Sequence, residues 1–323
     1  MNTLIHQVIA EDLMINSADP GIRLHLRYKH LLHAAPANES NVLIMVHGAT
    51  YASESLFDVP VADHSLMDQL AFAGLHVFAL DIRGYGKSDR PAAMMQDPKL
   101  SAPVSDTQTG IGDLASAVDY LLSRYQLQQL NVFGMSWGGS VAAAYSTRYP
   151  QQVAKLALVA PQWLNSQPSH IDIDGEIAAW REVNPAAFQQ AWLANAPEEK
   201  RADLIPAGVF QRWLEAVLAS DADYQQQSAG KIRAVNGPSL DKRRFWRAGI
   251  PFYDPAEIRA PLLLIHAEWD NDVPFTATAD LFKRCSNTPW RRWLEIGEGS
   301  HMILLEKNHW QAWDAITCFY TED

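Results

Sequence analysis

The sequence predicts an α/β protein with a mostly parallel central sheet and helices on both of its faces. Short apolar runs bounded by turn residues recur along the chain, as expected for strands buried on two sides. Between these runs lie amphipathic segments with apolar residues three and four positions apart. One long stretch, residues 162–254, breaks this alternation and predicts an insertion.

The first two elements are predicted to be half-exposed antiparallel strands, because residues 4–9 and 22–31 alternate apolar and polar side chains. Helical spacing then predicts helices within residues 65–73 and 111–125. The parallel strands are expected at residues 42–46, 75–80, 130–133, 156–160, 262–265 and 292–296.

Residues 162–254 contain helical patterns and prolines but no convincing parallel strand. We therefore interpret residues 1–161 and 255–323 as the core domain, and residues 162–254 as a helical cap over the carboxyl edge of the sheet. We expect the tryptophans of the insertion to serve mostly in packing, with some lining a pocket beneath it. These tryptophans are Trp163, Trp180, Trp192, Trp213 and Trp246.

The composition narrows the class of protein. With a formal net charge of −11, the chain is not expected to take nucleic acid or an anionic membrane surface as a main partner. Cys285 and Cys318 have no metal or redox spacing and are too few for a disulfide framework. The first residues lack a basic region and a long apolar run, so we expect a cytoplasmic protein. The sequence carries no signal for the oligomeric state, and a monomer and a homodimer are both open.

The strongest functional signal is the pentapeptide Gly134-Met135-Ser136-Trp137-Gly138. A serine with glycine two positions away on each side fits a strand that turns abruptly into a helix and exposes the hydroxyl. The apolar run 130–133 precedes this turn, and small apolar residues follow it at 138–145. A chance pair of glycines is the alternative, but this context favours Ser136 as a nucleophile.

A serine hydroxyl needs a base, and His301 is the best candidate. It follows the last apolar run through the glycine-containing loop 297–300, at a strand end where working residues of open α/β sheets lie. His266 and His76 lie within or beside strands and are interpreted as packing residues. Three further histidines precede the parallel sheet and are poor candidates: His6, His30 and His33.

The orienting acid is expected in the loop after the strand 262–265. Asp270 lies just beyond this strand and four residues before Pro274, and we prefer it to Asp272 and Glu268. The preceding strand ends at Ala160 and Pro161 without an acid, which supports this choice. The order serine, acid, histidine is that of an α/β fold with this nucleophile turn.

The negative charge that develops on a carbonyl oxygen requires fixed hydrogen-bond donors. The backbone N–H of Trp137 is one predicted donor, and that of Ala49 is the other. His47 is expected to fix the loop by hydrogen bonding. Thr50 in the same loop and Trp163 at the start of the insertion are candidate substrate contacts.

Together these motifs resemble the α/β-hydrolase superfamily, in particular its serine-nucleophile members with a helical cap. The resemblance covers roughly residues 40–161 and 255–315. His47-Gly48 matches the oxyanion loop of the family and residues 134–138 its nucleophile elbow. Residues 81–88 match a D-x-R-G-x-G-x-S loop, which we interpret as a structural turn because phosphate-loop spacing is lacking.

The resemblance implies a serine hydrolase for an ester, thioester, lactone or related acyl bond of a small molecule, without metal or organic cofactor. Amide or carbon–carbon bond hydrolysis on the same triad is the alternative, and a non-catalytic ligand receptor belongs to another class. Family members with an aspartate nucleophile, such as dehalogenases, are disfavoured because this position is Ser136. The basic stretch 242–247 of the insertion is interpreted as a solvated helix face, and contact of Arg244 and Arg247 with a substrate carboxylate is the alternative.

Overall fold

The computed structural model describes residues 7–322. It contains a large sheet and a two-stranded ribbon that together use ten strands. The strands are β1 Val8–Asn16, β2 Arg23–Leu31, β3 Val42–Val46, β4 His76–Asp81, β5 Leu130–Met135, β6 Val153–Val159, β7 Trp180–Val183, β8 Ile232–Val235, β9 Leu262–Ala267 and β10 Arg291–Ile296.

Helices fill most of the connections between the strands. The α-helices are α1 Ser53–Phe57, α2 Leu66–Phe72, α3 Thr107–Tyr125, α4 Trp137–Arg148, α5 Phe188–Ala194, α6 Arg201–Leu204, α7 Val209–Ala219, α8 Ala222–Gln225, α9 Gly237–Asp241, α10 Phe275–Arg284 and α11 His309–Thr321. A π-helical turn spans Lys242–Trp246. None of the helices in the described part of the chain is long and apolar enough to cross a membrane.

The large sheet has eight strands in the order β1-β2-β4-β3-β5-β6-β9-β10. Its first two strands run antiparallel, and the other six are parallel to one another. In the register, Val46 lies beside both Leu80 and Gly134, so the carboxyl ends of β3, β4 and β5 meet at one edge. The predicted mostly parallel α/β sheet is therefore confirmed.

The central strands of this sheet are buried on both faces. Every residue of β3, β4, β5 and β9 is buried. Successive side chains point to opposite faces, so Val132 joins the hydrophobic cluster on one face and Phe133 the cluster on the other. Each such side chain removed from water contributes about 1.5–3 kcal/mol, which makes the sheet a rigid base for the loops at its edge.

A tyrosine from α11 closes an irregularity at the centre of the sheet. The register between β5 and β6 shifts between Leu130 and Val132. The hydroxyl of Tyr320 donates a hydrogen bond to the carbonyl of Val132 at 2.7 Å and accepts one from the N–H of Ala157 at 3.2 Å. A side chain distant in sequence thus replaces ladder bonds beneath the strand that leads to Ser136.

Some elements differ from the prediction. The first strand spans Val8–Asn16, whereas half of the predicted stretch 4–9, residues 4–6, lies outside the described residues. The sequence predicts that a helix begins directly after His301, at residues 302–306, but these residues form only a short 3₁₀ turn, Ile303–Leu305, and the α-helix begins at His309.

The insertion between β6 and β9 is not purely helical. Its strands β7 and β8 pair antiparallel, with Trp180 opposite Val235. Before β7, residues 160–179 follow an irregular path without helix or strand. Both features depend on tertiary contacts and not on a local sequence pattern. The two strands are only four residues long, and the irregular segment shows no hydrophobic periodicity.

Candidate active site

Ser136 lies at the turn between β5 and α4 in a backbone conformation that residues other than glycine rarely adopt. Its φ is 56° and its ψ is −122°. The surrounding structure holds this strain, because the Ser136 N–H donates to the Val159 carbonyl at 2.9 Å and its own carbonyl accepts from Gln162 at 3.0 Å. The serine is therefore fixed at the tip of a strained turn, where its side chain faces a cavity.

The glycines around this serine are required by close backbone packing. A Cβ on Gly134 would lie 2.3 Å from the carbonyl oxygen of Gly138. A Cβ on Gly138 would lie 2.3 Å from the carbonyl oxygens of Val46 and His47. Only glycine allows α4 to begin so close to the ends of β3 and β5.

His301 and Asp270 are brought together by the loops after β10 and β9. The Nδ1 of His301 donates to Oδ2 of Asp270 at 2.8 Å, and both side chains are buried. The other carboxylate oxygen of Asp270 accepts the backbone N–H groups of Asp272 at 2.9 Å and Val273 at 2.8 Å. The two loops are also joined directly, because the Trp269 N–H donates to the Gly299 carbonyl.

The electrostatic surroundings favour the positively charged, doubly protonated ring of His301. Burial alone would lower the pKa of His301, but the charge and hydrogen bond of Asp270, with further contributions from Asp272 and Glu306, raise it to about 9. Glu306 is itself buried, and this desolvation raises its pKa to about 7, although Ser300 and Trp192 donate hydrogen bonds to it. The site therefore stabilises an imidazolium at the position of His301.

Ser136 and His301 line the same cavity. Within residues 7–322, no hydrogen bond joins Ser136 Oγ to the Nε2 of His301. Such bonds often form or shorten only when substrate is present. The lining also includes apolar side chains from the early loop, α1, the end of β5, the insertion and the loop after β10: Tyr51, Leu56, Met135, Phe188 and Met302.

The loop after β3 approaches the serine closely. A Cβ on Gly48 would lie 3.3 Å from the Cβ of Ser136, so the backbone of this loop forms one wall of the cavity. The N–H groups of Ala49 and Trp137 have no hydrogen-bond acceptor in the described part of the chain. Buried N–H groups without a partner are rare in folded proteins, so these two can bind an oxygen atom of a ligand.

Two aromatic side chains hold this loop in place. The Nδ1 of His47 donates to the Gly48 carbonyl at 2.7 Å, and its Nε2 accepts the N–H of Ile82 at 3.2 Å. Burial lowers the pKa of His47, which is consistent with a neutral ring. The hydroxyl of Tyr85 donates to the Ala49 carbonyl at 2.6 Å. His47 therefore has the loop-fixing contacts expected from the sequence.

The two predicted substrate contacts lie in different places. Thr50 lines the cavity, and its hydroxyl oxygen accepts a hydrogen bond from Arg181 at 3.0 Å. Trp163 lies instead in the core, where its indole N–H donates to Asp280 and its ring packs against Tyr253. It is therefore not among the residues of the cavity wall, because its bulky ring fills the space between the insertion and α10.

The basic residues 242–247 do not line the cavity either. Arg244 and Arg247 are exposed, and Arg247 lies 3.8 Å from Asp172. Lys242 is fully buried, in contrast to a solvated face, and its ammonium group donates to the carbonyl of Gln167 and the hydroxyl of Ser169. This lysine fixes the irregular segment before β7.

Several residues of the site escaped the sequence analysis. His170 and Phe188 from the insertion line the cavity, and Arg181 and Glu306 support it from behind. His170 stands in a segment without periodicity, so no pattern distinguishes it from a surface histidine. Glu306 could have been noticed as an acid within the apolar run that follows His301.

One group of described residues has the composition of a metal site, away from this cavity. Ligand atoms of Asp12, His25 and Glu54 lie within 4.8 Å of one another. Lys87 donates to Asp12 at 2.9 Å and lies 2.7 Å from Glu54, so its ammonium group already provides the positive charge there. This group is satisfied as an ion-pair network.

The chain is similar to known proteins in sequence and in structure. A family model described as "alpha/beta hydrolase fold" matches residues 41–308. The chain is 28% identical over 228 residues to a monoacylglycerol lipase of Mycolicibacterium smegmatis, which covers 69% of this chain and 70% of the lipase. It is also 28% identical over 158 residues to a 2-hydroxy-6-oxononadienedioate/2-hydroxy-6-oxononatrienedioate hydrolase of Burkholderia vietnamiensis, covering 49% and 47% of the two chains.

Solved structures share the fold at low sequence identity. A 2-hydroxy-6-oxo-6-phenylhexa-2,4-dienoate hydrolase from a Rhodococcus strain superposes with a TM-score of 0.60 at 16% identity, covering 97% of this chain and 99% of that one. A thermophilic esterase from Thermogutta terrifontis also gives a TM-score of 0.60, at 15% identity, covering 95% and 97%. At these identities the likeness concerns the fold alone.

Proposed function

This chain belongs to the alpha/beta hydrolase fold family, and from that membership we propose that it is a serine hydrolase. Its substrate is a small molecule with an ester, thioester, lactone or related acyl bond. Ser136, His301 and Asp270 form the catalytic triad, and the N–H groups of Ala49 and Trp137 form the oxyanion hole. The reaction requires neither metal nor organic cofactor.

The reaction has two halves. Ser136 Oγ attacks the carbonyl carbon while Nε2 of His301 takes its proton, and Asp270 stabilises the imidazolium that forms. The oxyanion binds to the two N–H groups, each worth about 3 kcal/mol in such sites. When the tetrahedral intermediate collapses, His301 returns the proton to the leaving alcohol or thiol. Water then attacks the acyl-enzyme by the same route and releases the acid and the free serine.

The observation that carries this proposal is the arrangement around one cavity. His301 is oriented by Asp270 at 2.8 Å, and it shares the cavity wall with a serine in a strained nucleophile turn. Asp270 in turn accepts two backbone N–H groups, which keep its carboxylate in place. Such a set of mutually oriented groups is the geometric signature of nucleophilic acyl transfer.

We further propose that residues 162–254 act as a cap on a core formed by residues 1–161 and 255–323. Support comes from His170 and Phe188, which belong to the insertion and line the same cavity as Ser136. Two large aromatic or heteroaromatic side chains from the insertion thereby limit the access of water and the size of the substrate.

The proposal is tested with Ser136→Ala and a fluorophosphonate probe. We expect the wild-type protein to hydrolyse p-nitrophenyl butyrate and to be labelled at Ser136, whereas the variant should lose both properties. Ser123→Ala, at an exposed position of α3, is the matched control and should keep both. Hydrolysis by Ser136→Ala at the wild-type rate would contradict the mechanism, and absence of turnover in the wild type would favour a receptor.

Hydrolysis of a carbon–carbon bond is a second candidate, because one sequence relative and one structural neighbour are named as dienoate-type hydrolases. Neither Lys nor Arg is among the described residues that line the cavity, which favours an uncharged acyl group over a dicarboxylate. A panel with one such dienoate and several neutral esters separates the two candidates. Faster turnover of the dienoate would overturn the preference for acyl substrates.

A further inference from the structure

Two cavities meet at His301. The inner one, described above, contains Ser136 and the loop 48–51. The outer one shares four lining residues with the inner one: His170, Phe188, His301 and Met302. Of the described residues that line the outer cavity, none belongs to the nucleophile turn or to the loop 48–51.

The proposed reaction assigns the two halves of the substrate to these cavities. The leaving oxygen takes its proton from His301, so the leaving group must lie on the side of that ring. The acyl carbon must instead touch Ser136 and the N–H groups of Ala49 and Trp137. The inner cavity is therefore the acyl site, and the outer cavity is the site of the leaving group. This step rests on the proposed function.

The linings of the two cavities differ in chemistry. Apolar side chains such as Leu56 and Met135 dominate the wall of the inner cavity. The lining of the outer cavity includes four polar residues: His170, Asn195, Asn271 and Asp272. No lysine or arginine is among the described residues of the outer wall, so it lacks the cation that a phosphate or carboxylate on the leaving group would need.

His170 is held at the boundary between the cavities by Asp272. Its Nδ1 lies 3.0 Å from each of the two carboxylate oxygens, and an N–H must donate there because the oxygens only accept. In the tautomer with its proton on Nδ1, the ring has its lone pair on Nε2, which has no hydrogen-bond partner within residues 7–322. Nε2 can therefore accept a hydrogen bond from a hydroxyl group.

The position of this histidine is fixed by the surrounding structure. The buried Lys242 binds the chain on its amino-terminal side through Gln167 and Ser169. The side-chain amide of Asn165 donates to the carbonyl of Asp272 at 3.2 Å. The ring of His170 lies edge-on to that of His301, with 6.5 Å between the centroids. These contacts give the ring of His170 a defined orientation, in which its Nε2 can hydrogen-bond to a substrate.

We infer that His170, oriented by Asp272, accepts a hydrogen bond from a hydroxyl group of the leaving alcohol. The preferred substrates are then esters of an apolar acyl group with an uncharged, hydroxylated alcohol such as glycerol. His301, oriented by Asp270, carries out the proton transfer, whereas His170, oriented by Asp272, determines which alcohol departs.

The test uses two esters that share one acyl group, glyceryl monobutyrate and propyl butyrate, which differ by two hydroxyl groups. The wild type should prefer the glyceryl ester in kcat/KM. In His170→Phe, which keeps a ring but has no acceptor, the ratio of the two kcat/KM values should fall about three- to tenfold, the range of one neutral hydrogen bond. Asp272→Asn should lower the same ratio, because it no longer fixes the proton on Nδ1.

His33→Phe, at an exposed position far in sequence from His170, is the matched control and should keep the wild-type ratio. A purely structural role of His170 would lower the rates for both esters equally, and an unchanged ratio in both site variants would overturn this inference while the hydrolase proposal stands. If the wild type hydrolyses neither ester and Ser136 is not labelled by a fluorophosphonate, both proposals fail.

Discussion

Replacing Asp270 by asparagine should misdirect the proton of His301. One carboxylate oxygen accepts the N–H groups of Asp272 and Val273, and the other accepts from His301. In Asp270→Asn the amide oxygen must stay with the two backbone donors, so the amide NH₂ faces His301. Nδ1 must then accept, and the ring carries its proton on Nε2, where it cannot take one from Ser136.

The size of the effect follows from the cost of the opposite orientation. Turning the asparagine would leave two backbone N–H groups without an acceptor, at about 1–3 kcal/mol each, or about 2–6 kcal/mol together. At 1.4 kcal/mol per tenfold change, the productive tautomer falls to between about 1 in 30 and 1 in 10⁴. Loss of the negative charge beside the imidazolium adds to this, so we expect kcat/KM to fall about 10³- to 10⁴-fold.

The assay is kcat/KM for propyl butyrate, compared at pH values above the acid limb, where His301 is neutral in both proteins, with the melting temperature as a check on folding. Asp272→Asn is the matched control, because it makes the same chemical change in the neighbouring carboxylate, which holds His170 instead. It should stay within about tenfold of the wild type on this ester. A loss of less than tenfold in Asp270→Asn, or a larger loss in Asp272→Asn, would refute the assignment of the acid.

Two further predictions concern charge. Burial opposes the positive charge of His301, but nearby carboxylates including Glu306 raise the pKa of His301. Glu306→Gln should therefore move the acid limb of the kcat/KM profile to lower pH. An unchanged or higher midpoint of that limb would count against this coupling. Asp221→Ala should destabilise the protein by about 3–5 kcal/mol in urea unfolding at pH 7, because the buried Arg233 loses its partner and Arg90 its link to the insertion. Burial raises the pKa of Asp221, but the two arginines lower it more, so this stability is present above the unfolded-state pKa and is lost as the pH falls through the folded one. The difference between variant and wild type should hence shrink in acid, and an equal difference at pH 3 and pH 7 would contradict the explanation.

The sequence predicted best those features that depend on local backbone constraints. The positions of Gly134 and Gly138 could be predicted from the sequence because no other residue fits beside the carbonyls that they contact. The buried strands could be predicted because the sheet is covered on both faces, so that each strand has an uninterrupted run of apolar residues. The choice of Asp270 over Asp272 rested on spacing, and it remains a prediction that the paired asparagine variants test.

The insertion could not be predicted in the same way. Residues 160–179 are held by side-chain contacts such as those of Lys242, and such contacts leave no periodic pattern in the sequence. Trp163 illustrates the difficulty, since a tryptophan near a site can line a pocket or fill the core, and only its partner Asp280 decides between them. His170 gained its importance from Asp272, which is 102 positions away in the chain.

The hydroxyl of Tyr320 has a consequence for biosynthesis. It is 188 positions away from the carbonyl that it binds in β5. While a ribosome is still making the chain, the polar groups at the bulge between β5 and β6 must remain open to water or to chaperones until residue 320 has emerged. Contacts of such long separation slow folding, so the strand beneath the nucleophile should be among the last regions to gain protection from hydrogen exchange during refolding.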